Sequence, residues 1–389
     1  MPRVGLLIPG ISGVLGSALS AGLWISRTCD DPECKLGLLT EMKPACDLPL
    51  PAISDITLGG WDLTTPDPAS VCRLNRVFGS EKVLNVLPKV PPPRVFRAVV
   101  LPTDYECVRN RRLPTHSNSQ AALDDICRDI DAFRRAEAVD EIVVINLASP
   151  PRQTLTRICS GQLNSAILRN GESVTSALVY CLGAIRSGCS YVDFTATDTL
   201  ALPDLESEAL KYGVPLAGRD GSTGQTLMKS VIAHMFQLRH LSIEGWYSTN
   251  ILGNNDGLVL ADPEFATTKI SDKKEVLDLL APEKPHLVDI RYYPPRGDCK
   301  EAWDCIDFSG WMGELMSLRL NWIGRDSVLA APLVIDLARL MTCCKSRGRS
   351  GIQAGLGVFF KHPMGTAERR YFSLFEAFEA LCGTLAKEQ

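Results

Sequence analysis

A short apolar run, Val4-Gly-Leu-Leu-Ile-Pro-Gly10, leads directly into Gly10-Ile-Ser-Gly13-Val-Leu-Gly16-Ser-Ala-Leu-Ser-Ala-Gly22. The first piece has the length and unbroken apolarity of a strand buried on both faces, as in a parallel sheet. The second reads as a glycine-rich turn entering a helix of small residues. Its GxxGxxG spacing carries one more residue between the first two glycines than the dinucleotide fingerprint. The physical requirement is the same: a tight turn, close approach of backbone to a pyrophosphate, and a helix N-terminus aimed at it. Gly10, Ile11, Ser12, Gly13, Val14, Leu15 and Gly16 are therefore candidate cofactor-binding residues.

The rest of the chain alternates in the way a parallel sheet requires. Thr57-Leu-Gly-Gly-Trp-Asp62-Leu is a second apolar run with a carboxylate near its end. Asp62 could take a ribose hydroxyl or serve as a turn or cap residue. Between Pro66 and Arg112 the pattern is broken, with Pro91-Pro-Pro93 marking a loop. Asp124 to Val139 reads as an amphipathic helix. Glu141 to Asn146 reads as a strand that ends in the small residues Leu147-Ala148-Ser149. Thr175 to Arg186 is helical, and Ser190-Tyr-Val-Asp193-Phe-Thr195-Ala-Thr197 is a strand with another polar end. Strands alternating with helices imply a doubly wound, Rossmann-type α/β sheet, whose strand ends face the ligand crevice.

The stretch from Gly218 to Gly257 stands apart in chemistry. It opens with Gly218-Arg-Asp220-Gly-Ser222-Thr223-Gly224-Gln225-Thr-Leu-Met-Lys-Ser230 and closes with Leu252-Gly253-Asn254-Asn255-Asp256-Gly257. Glycines and hydroxyls ahead of a helical pattern suit a phosphate cradle, with a simple capped loop as the plain alternative. Further on, Lys269 and Lys273 fall in a helix-like segment, and Lys300 follows Asp298. Gly310 to Met316 reads as a return strand, and Asp326 as the N-cap of an apolar helix. Lys361 stands between an apolar run and His362-Pro363. Any one of these lysines, taken alone, reads as a solvated surface charge.

Composition limits the partners. The chain has 389 residues, more than one ordinary core accommodates, so two domains or one large α/β domain is expected. Its net charge of −4 gives no general pull on nucleic acid or an anionic membrane, so an anionic substrate needs a local cluster of cations. The 14 cysteines include no CxxC pair and read as reduced thiols. No secretory n-region precedes the first strand, and no apolar run reaches the roughly 20 residues of a membrane span. The expectation is a cytoplasmic protein with neither a membrane nor a nucleic-acid partner.

These elements together resemble the myo-inositol-phosphate synthases. The resemblance rests on the glycine-rich turn after Val4-Gly-Leu-Leu7, on Gly59-Gly-Trp-Asp62, and on Gly224-Gln225-Thr226. It rests also on Leu252-Gly-Asn-Asn-Asp-Gly257, Ala330-Ala-Pro-Leu-Val-Ile-Asp336 and Phe360-Lys361-x-Pro363. The order matches along nearly the whole chain, and the compact length is similar to that of archaeal and bacterial forms. The resemblance implies a cofactor domain over residues 1–225, an inserted α+β catalytic and tetramerisation domain over 226–325, and a return to the first domain over 326–389. It implies bound NAD, a phosphorylated hexose substrate, a homotetramer, and a divalent or monovalent cation as an open further requirement.

The implied reaction is an internal oxidation, enolisation, aldol closure and reduction of a hexose 6-phosphate, with NAD regenerated in each turnover. Carried over by position, Lys269, Lys273, Lys300 and Lys361 are the site's lysines, and Asp220, Asp256 and Asp326 the acids that orient them or the substrate. Thr223, Gly224, Gln225, Leu252, Gly253, Asn254 and Asn255 form the phosphate cradle. Asp62 meets the adenosine ribose, while Ala148, Ser149, Asp193 and Thr195 lie toward the nicotinamide. The chain departs from the family pattern at Val14 and Leu15, at Ser222 and Leu227 where lysines are common, and at Asp193-Phe-Thr-Ala196 in place of an Asn-Gly-Ser-Pro type. Glucose 6-phosphate is the first expectation for the substrate. Fructose 6-phosphate closing to a five-membered cyclitol, a non-catalytic NAD-binding protein, and a simple dehydrogenase that releases NADH are the alternatives.

Overall fold

A computed structural model describes residues 2–29, 31–101, 116, 118–148, 161–168, 174–197, 199–253, 257–258, 284–365 and 374–387. Among them, seven parallel strands form one sheet: β1 (Val4–Pro9), β2 (Ile56–Asp62), β3 (Arg94–Arg97), β4 (Glu141–Asn146), β5 (Ser190–Asp193), β6 (Pro215–Gly218) and β11 (Gly351–Ile352). Their order is β11-β6-β5-β4-β1-β2-β3. Strands 1 to 6 thus follow the two-half order of dinucleotide-binding folds, reversing beside β1.

Alternation explains the two cores. Leu6 and Ile8 of β1 and Val143 and Ile145 of β4 face one layer, built with α1 (Val14–Thr28), α9 (Asp326–Ser346) and α10 (Leu374–Lys387). Leu7, Ile142 and Val144 face the other, with α4 (Ser119–Glu137) and α6 (Ser176–Arg186). A strand covered on both faces must be apolar at every position, as β1 is. Among the described residues α9 is the one helix long and apolar enough to cross a membrane, and most of it is buried in this core.

The stretch expected to be patternless contains α2 (Pro68–Leu74), α3 (Glu81–Val86) and edge strand β3. These elements are too short for a period to register, and α2 is marked mainly by Asp67, which accepts the Ser70 N–H at 2.9 Å. Two further α-helices are α5 (Leu163–Leu168) and α7 (Pro203–Tyr212).

A second, four-stranded sheet has the order β10-β9-β7-β8, from β7 (Ser242–Leu252), β8 (His286–Tyr292), β9 (Cys299–Ser309) and β10 (Leu315–Arg325). The β7–β8 pair is parallel and the others antiparallel. Its inner face carries Trp246, Val288 and Ile306 against Ile232 and Phe236 of α8 (Gly224–Leu238). Two expectations are corrected here. The return strand starts at Leu315, because Trp311–Gly313 form a helical turn first. Asp326 is the first residue of α9 and not its cap; Arg325 holds the N-cap position without a side-chain bond. The capping carboxylate comes from outside the helix: Asp298 accepts the Ser327 N–H at 3.1 Å and its hydroxyl at 2.9 Å.

Candidate active site

The β1 turn is built as its glycines suggested. Gly10 has φ +88°, a conformation that favours glycine, and a Cβ there would press on Ala148 N at 3.1 Å. A Cβ at Gly16 would run into the Ile11 carbonyl oxygen, so that glycine serves helix–strand packing. Gly13 is exposed and occupies the N-cap of α1, and a Cβ there would meet only the Gly10 carbonyl oxygen, at 3.2 Å. No side chain caps α1, so its first turn presents backbone N–H groups outward. Buried Ile11 anchors the turn from below, while Val14 and Leu15 open the helix half-buried.

Asp62 sits at the end of β2 beside this turn. Its Oδ2 accepts the Ser12 N–H at 2.9 Å and its Oδ1 the Leu63 N–H at 2.7 Å. The Ser12 hydroxyl donates to the Thr64 carbonyl at 2.8 Å. Asp62 therefore shapes the loop, the turn role that its place at a strand end also allowed. Across the sheet, the Ala148 N–H donates to Asn146 Oδ1 at 3.1 Å.

A buried polar network lies at the ends of β4 and β5. Asp193 accepts from Asn146 Nδ2 at 3.3 Å, from the Thr195 hydroxyl at 3.4 Å, and from the Thr197 hydroxyl. Burial pushes the Asp193 carboxyl up to about 7, against the pull of these donors and of the Arg219 charge. Arg219 Nη1 donates to the Thr197 carbonyl at 3.2 Å, which ties this network to the segment after β6.

That segment, residues 219–222, runs antiparallel to residues 359–362. The Arg219 N–H donates to the His362 carbonyl at 3.0 Å, the Lys361 N–H to the Asp220 carbonyl at 2.7 Å, and the Ser222 N–H to the Phe359 carbonyl at 2.8 Å. The pairing brings Lys361 Nζ to 2.8 Å from Asp220 Oδ1. On the second sheet, Lys300 Nζ lies 3.3 Å from Asp326 Oδ2. Lys300 pairs across the ladder with Gly324, and Trp322 fills the space between Gly324 and Gly224. The Lys300 pair and the start of α8 are thus joined through one indole ring.

The N-terminus of α8 is itself buried. Thr223 is its N-cap without a side-chain cap bond, and Gly224, at φ +54°, Gln225 and Thr226 are covered. The Gln225 side chain is fully committed: its Nε2 donates to Asp304 Oδ2 at 2.8 Å and its Oε1 accepts from Asn250. Asp304 also takes the Trp246 indole N–H and the Ser248 hydroxyl, each at 2.8 Å. Leu252 ends β7 buried, and a Cβ on Gly253 would collide with the backbone at Gly297 and Tyr293. Ser149, Asn254, Asn255, Asp256, Lys269 and Lys273 lie outside the described residues. Among the described residues no group of three His, Cys, Asp or Glu side chains is placed to hold a metal ion.

With this geometry in view, comparison with known proteins is informative. The myo-inositol-1-phosphate synthase family model matches residues 224–327, which run from the start of α8 through β10. Inositol-3-phosphate synthase 1 of Bacteroides thetaiotaomicron is 33% identical over 95% of this chain and 91% of its own length. The chain belongs to the inositol-3-phosphate synthase family. The human inositol-3-phosphate synthase 1 is 27% identical over 89% of this chain and 69% of its own. The fold agrees with the crystal structure of the Caenorhabditis elegans inositol-3-phosphate synthase, with a TM-score of 0.85 at 22% identity over 99% of this chain and 86% of that one. A myo-inositol-1-phosphate synthase-related protein from Thermotoga maritima gives 0.78 at 22% identity over 98% of each chain.

In this inositol-3-phosphate synthase family member, further polar groups join the clusters around the candidate residues. Asn146, Thr197 and Arg219 join the Asp193 network, and Asn250, Asp304 and Lys229 the α8 base. Only their shared faces, set by the two-residue strand period and the helix turn, would have grouped them. Asp193 gives the family member a testable pH dependence. Between the ordinary aspartate value of about 3.9 and its folded value of about 7, the folded chain binds more protons than the unfolded one. Stability therefore falls as pH rises through that window. Asp193→Asn, which keeps an oxygen toward Asn146, should melt several degrees above wild type at pH 8. At pH 5 the gain should be smaller, because only part of the window from about 3.9 to about 7 has been crossed, as read by thermal unfolding at both values.

Proposed function

We propose that this protein is an NAD-dependent cyclase that converts glucose 6-phosphate to a myo-inositol phosphate. Family membership sets the reaction class, and the observation that carries the reading is the pair of oriented lysines, Lys300 on Asp326 and Lys361 on Asp220, beside a buried, uncapped helix start. The exposed Gly13 and the uncapped first turn of α1 fit a dinucleotide pyrophosphate. Bound NAD⁺ would supply reversible hydride acceptance, so that no net redox change occurs over a turnover. Ser12, Asp62, Ala148, Ser149, Asp193 and Thr195 line the cofactor side of this reading.

The chain's own residues then have three tasks. Backbone N–H groups of Gly224 and Gln225, with Thr223, Leu252, Gly253, Asn254 and Asn255, hold the substrate phosphate at the start of α8. Gln225 acts through its backbone, because its side chain is committed to Asp304 and Asn250. Lys300, Lys361, Lys269 and Lys273 stabilise the oxyanions that develop as a proton leaves carbon and the ring closes. Asp220, Asp256 and Asp326 orient them. An ammonium suits this task as a compact cation that fits one developing charge. Residues 1–225 with 326–389 serve the cofactor in this reading, and 226–325 the substrate and assembly.

The outer face of the second sheet supports assembly. Tyr247, Leu287, Trp303 and Ile323 are exposed and share that face by strand alternation and register. A homotetramer, with a dimer as the smaller alternative, would cover them. Light scattering that reads a monomer at working concentration would contradict this. Gly13→Val should fold, since its side chain meets little protein, yet lose NAD⁺ binding by occupying the pyrophosphate approach; undiminished NAD⁺ affinity would remove the cofactor assignment.

The reaction is tested by incubating the protein with NAD⁺ and glucose 6-phosphate or fructose 6-phosphate and identifying the product ring by NMR. A six-membered cyclitol from glucose 6-phosphate without accumulation of NADH is expected; a five-membered product from fructose 6-phosphate, or net NADH, would replace this reading. Lys300→Ala should lose on the order of 10²–10³ in kcat, the scale for removing one oxyanion donor. Lys300→Arg should not restore it, because a planar fork cannot occupy the place of an ammonium. Near-normal turnover by Lys300→Ala would show an ordinary surface charge.

A further inference from the structure

Lys229 is 2% exposed, and among the described residues its Nζ has no hydrogen-bond partner. It lies one turn beyond Gln225 in α8, and helical side chains lean toward the N-terminus, so its stem runs back beneath the first turn. Its Nζ sits 5.9 Å from the centre of the Trp246 ring. The charge facing it is Asp304, the same carboxylate that holds Gln225, Trp246 and Ser248. Burial lowers the Lys229 ammonium to about 8 and Asp304 works against that shift.

This arrangement poses an electrostatic problem for an anion site. Asp304 anchors the residue that opens the helix, so it places a negative charge directly behind the start of α8. A phosphate bound there would be repelled across a poorly solvated interior, where charges interact far more strongly than in water. We propose that Lys229 is a positioning residue that acts as the buried countercharge of Asp304. It allows the Asp304–Gln225 anchor to hold the helix start without opposing a phosphate in front of it. The inference rests on the phosphate-cradle reading given above and adds a fifth lysine that never touches the substrate.

The experiment compares signs, which a merely structural role would not reproduce. Inorganic phosphate is titrated by calorimetry into the NAD⁺-loaded protein, and its inhibition constant is measured against glucose 6-phosphate. Lys229→Met leaves Asp304 uncompensated and should weaken phosphate binding about tenfold, the size of one unit charge roughly 10 Å away at an effective dielectric near 20. Asp304→Asn is isosteric, and turning over the Gln225 and Asn250 amides restores its hydrogen bonds. It leaves Lys229 as an excess cation and should tighten phosphate binding. The double variant should lie within about threefold of wild type, since both charges are gone.

If the cluster only packs, all three variants weaken binding, and the inference is overturned. If Lys229→Met does not fold, the other two still decide: the double variant should bind about tenfold more weakly than Asp304→Asn, and equal affinities would overturn the inference. A wild-type protein that neither binds inorganic phosphate nor turns over glucose 6-phosphate would instead overturn the function on which it rests.

Discussion

A lysine in this site has meaning only together with its carboxylate. Lys300 lies on Asp326, Lys361 on Asp220, and Lys229 faces Asp304. Half-buried pairs of this kind add little to stability, because desolvation and side-chain entropy offset most of the Coulomb gain. What they fix is direction. Lysine carries several rotatable bonds, and a carboxylate on a rigid element selects one position for its ammonium. The cost is that each pair is close to neutral. In a chain of net charge −4, attraction for an anion must then come from backbone dipoles at helix starts as well as from the lysines themselves.

The fold supplies those pairs by long-range means. Lys361 and Asp220 are 141 residues apart and meet because the chain after β6 pairs with the segment before His362. The same segment reaches the Asp193 network through Arg219. Asp298 holds the first turn of α9, its carbonyl also accepts the Asp326 N–H at 3.3 Å, and so it sets where Asp326 can meet Lys300. The parallel sheet contributes the common side, since the C-terminal ends of β1, β4, β5 and β6 all open the same way. The first sheet thus carries the glycine turn, the Asp193 network and the Lys361 pair, and the second sheet Lys300, from separate stretches of chain.

What the sequence made legible follows from length and period. β1 is an unbroken apolar run and β4 carries one over residues 142–145, because both faces are buried, and the glycine turn after β1 is stereochemically forced. The Lys361 and Lys300 segments were found by likeness to family motifs, not by chemistry visible in isolation. The misses share one cause: the partner is distant in sequence. Asp326 reads as a cap until Asp298 is seen holding Ser327. The Gln225 side chain reads as free until Asp304 and Asn250 are seen holding its amide. Lys229 reads as one more helical lysine until its burial is known.

The departures from the family pattern can now be weighed by where they fall. Leu227 is exposed on α8, in line with exposed Val231, Met235 and Leu238, and away from buried Gln225 and Lys229. A lysine lost there changes an outer surface and leaves the helix base intact. The Ser222 N–H is spent in the pairing with Phe359, so that position serves the strap that carries Asp220. Asp193 is different, because it stands where the family resemblance leads to a neutral amide, inside a polar network at the ends of β4 and β5. A fully buried carboxyl near neutrality changes charge under ordinary conditions, and a proton on its Oδ2 reverses the bond with the Thr197 hydroxyl while its Oδ1 still accepts from Asn146 Nδ2. Of the departures within the described residues, the one at Asp193 therefore reaches furthest into its surroundings, through Asn146 toward Ala148 and through Thr197 toward Arg219.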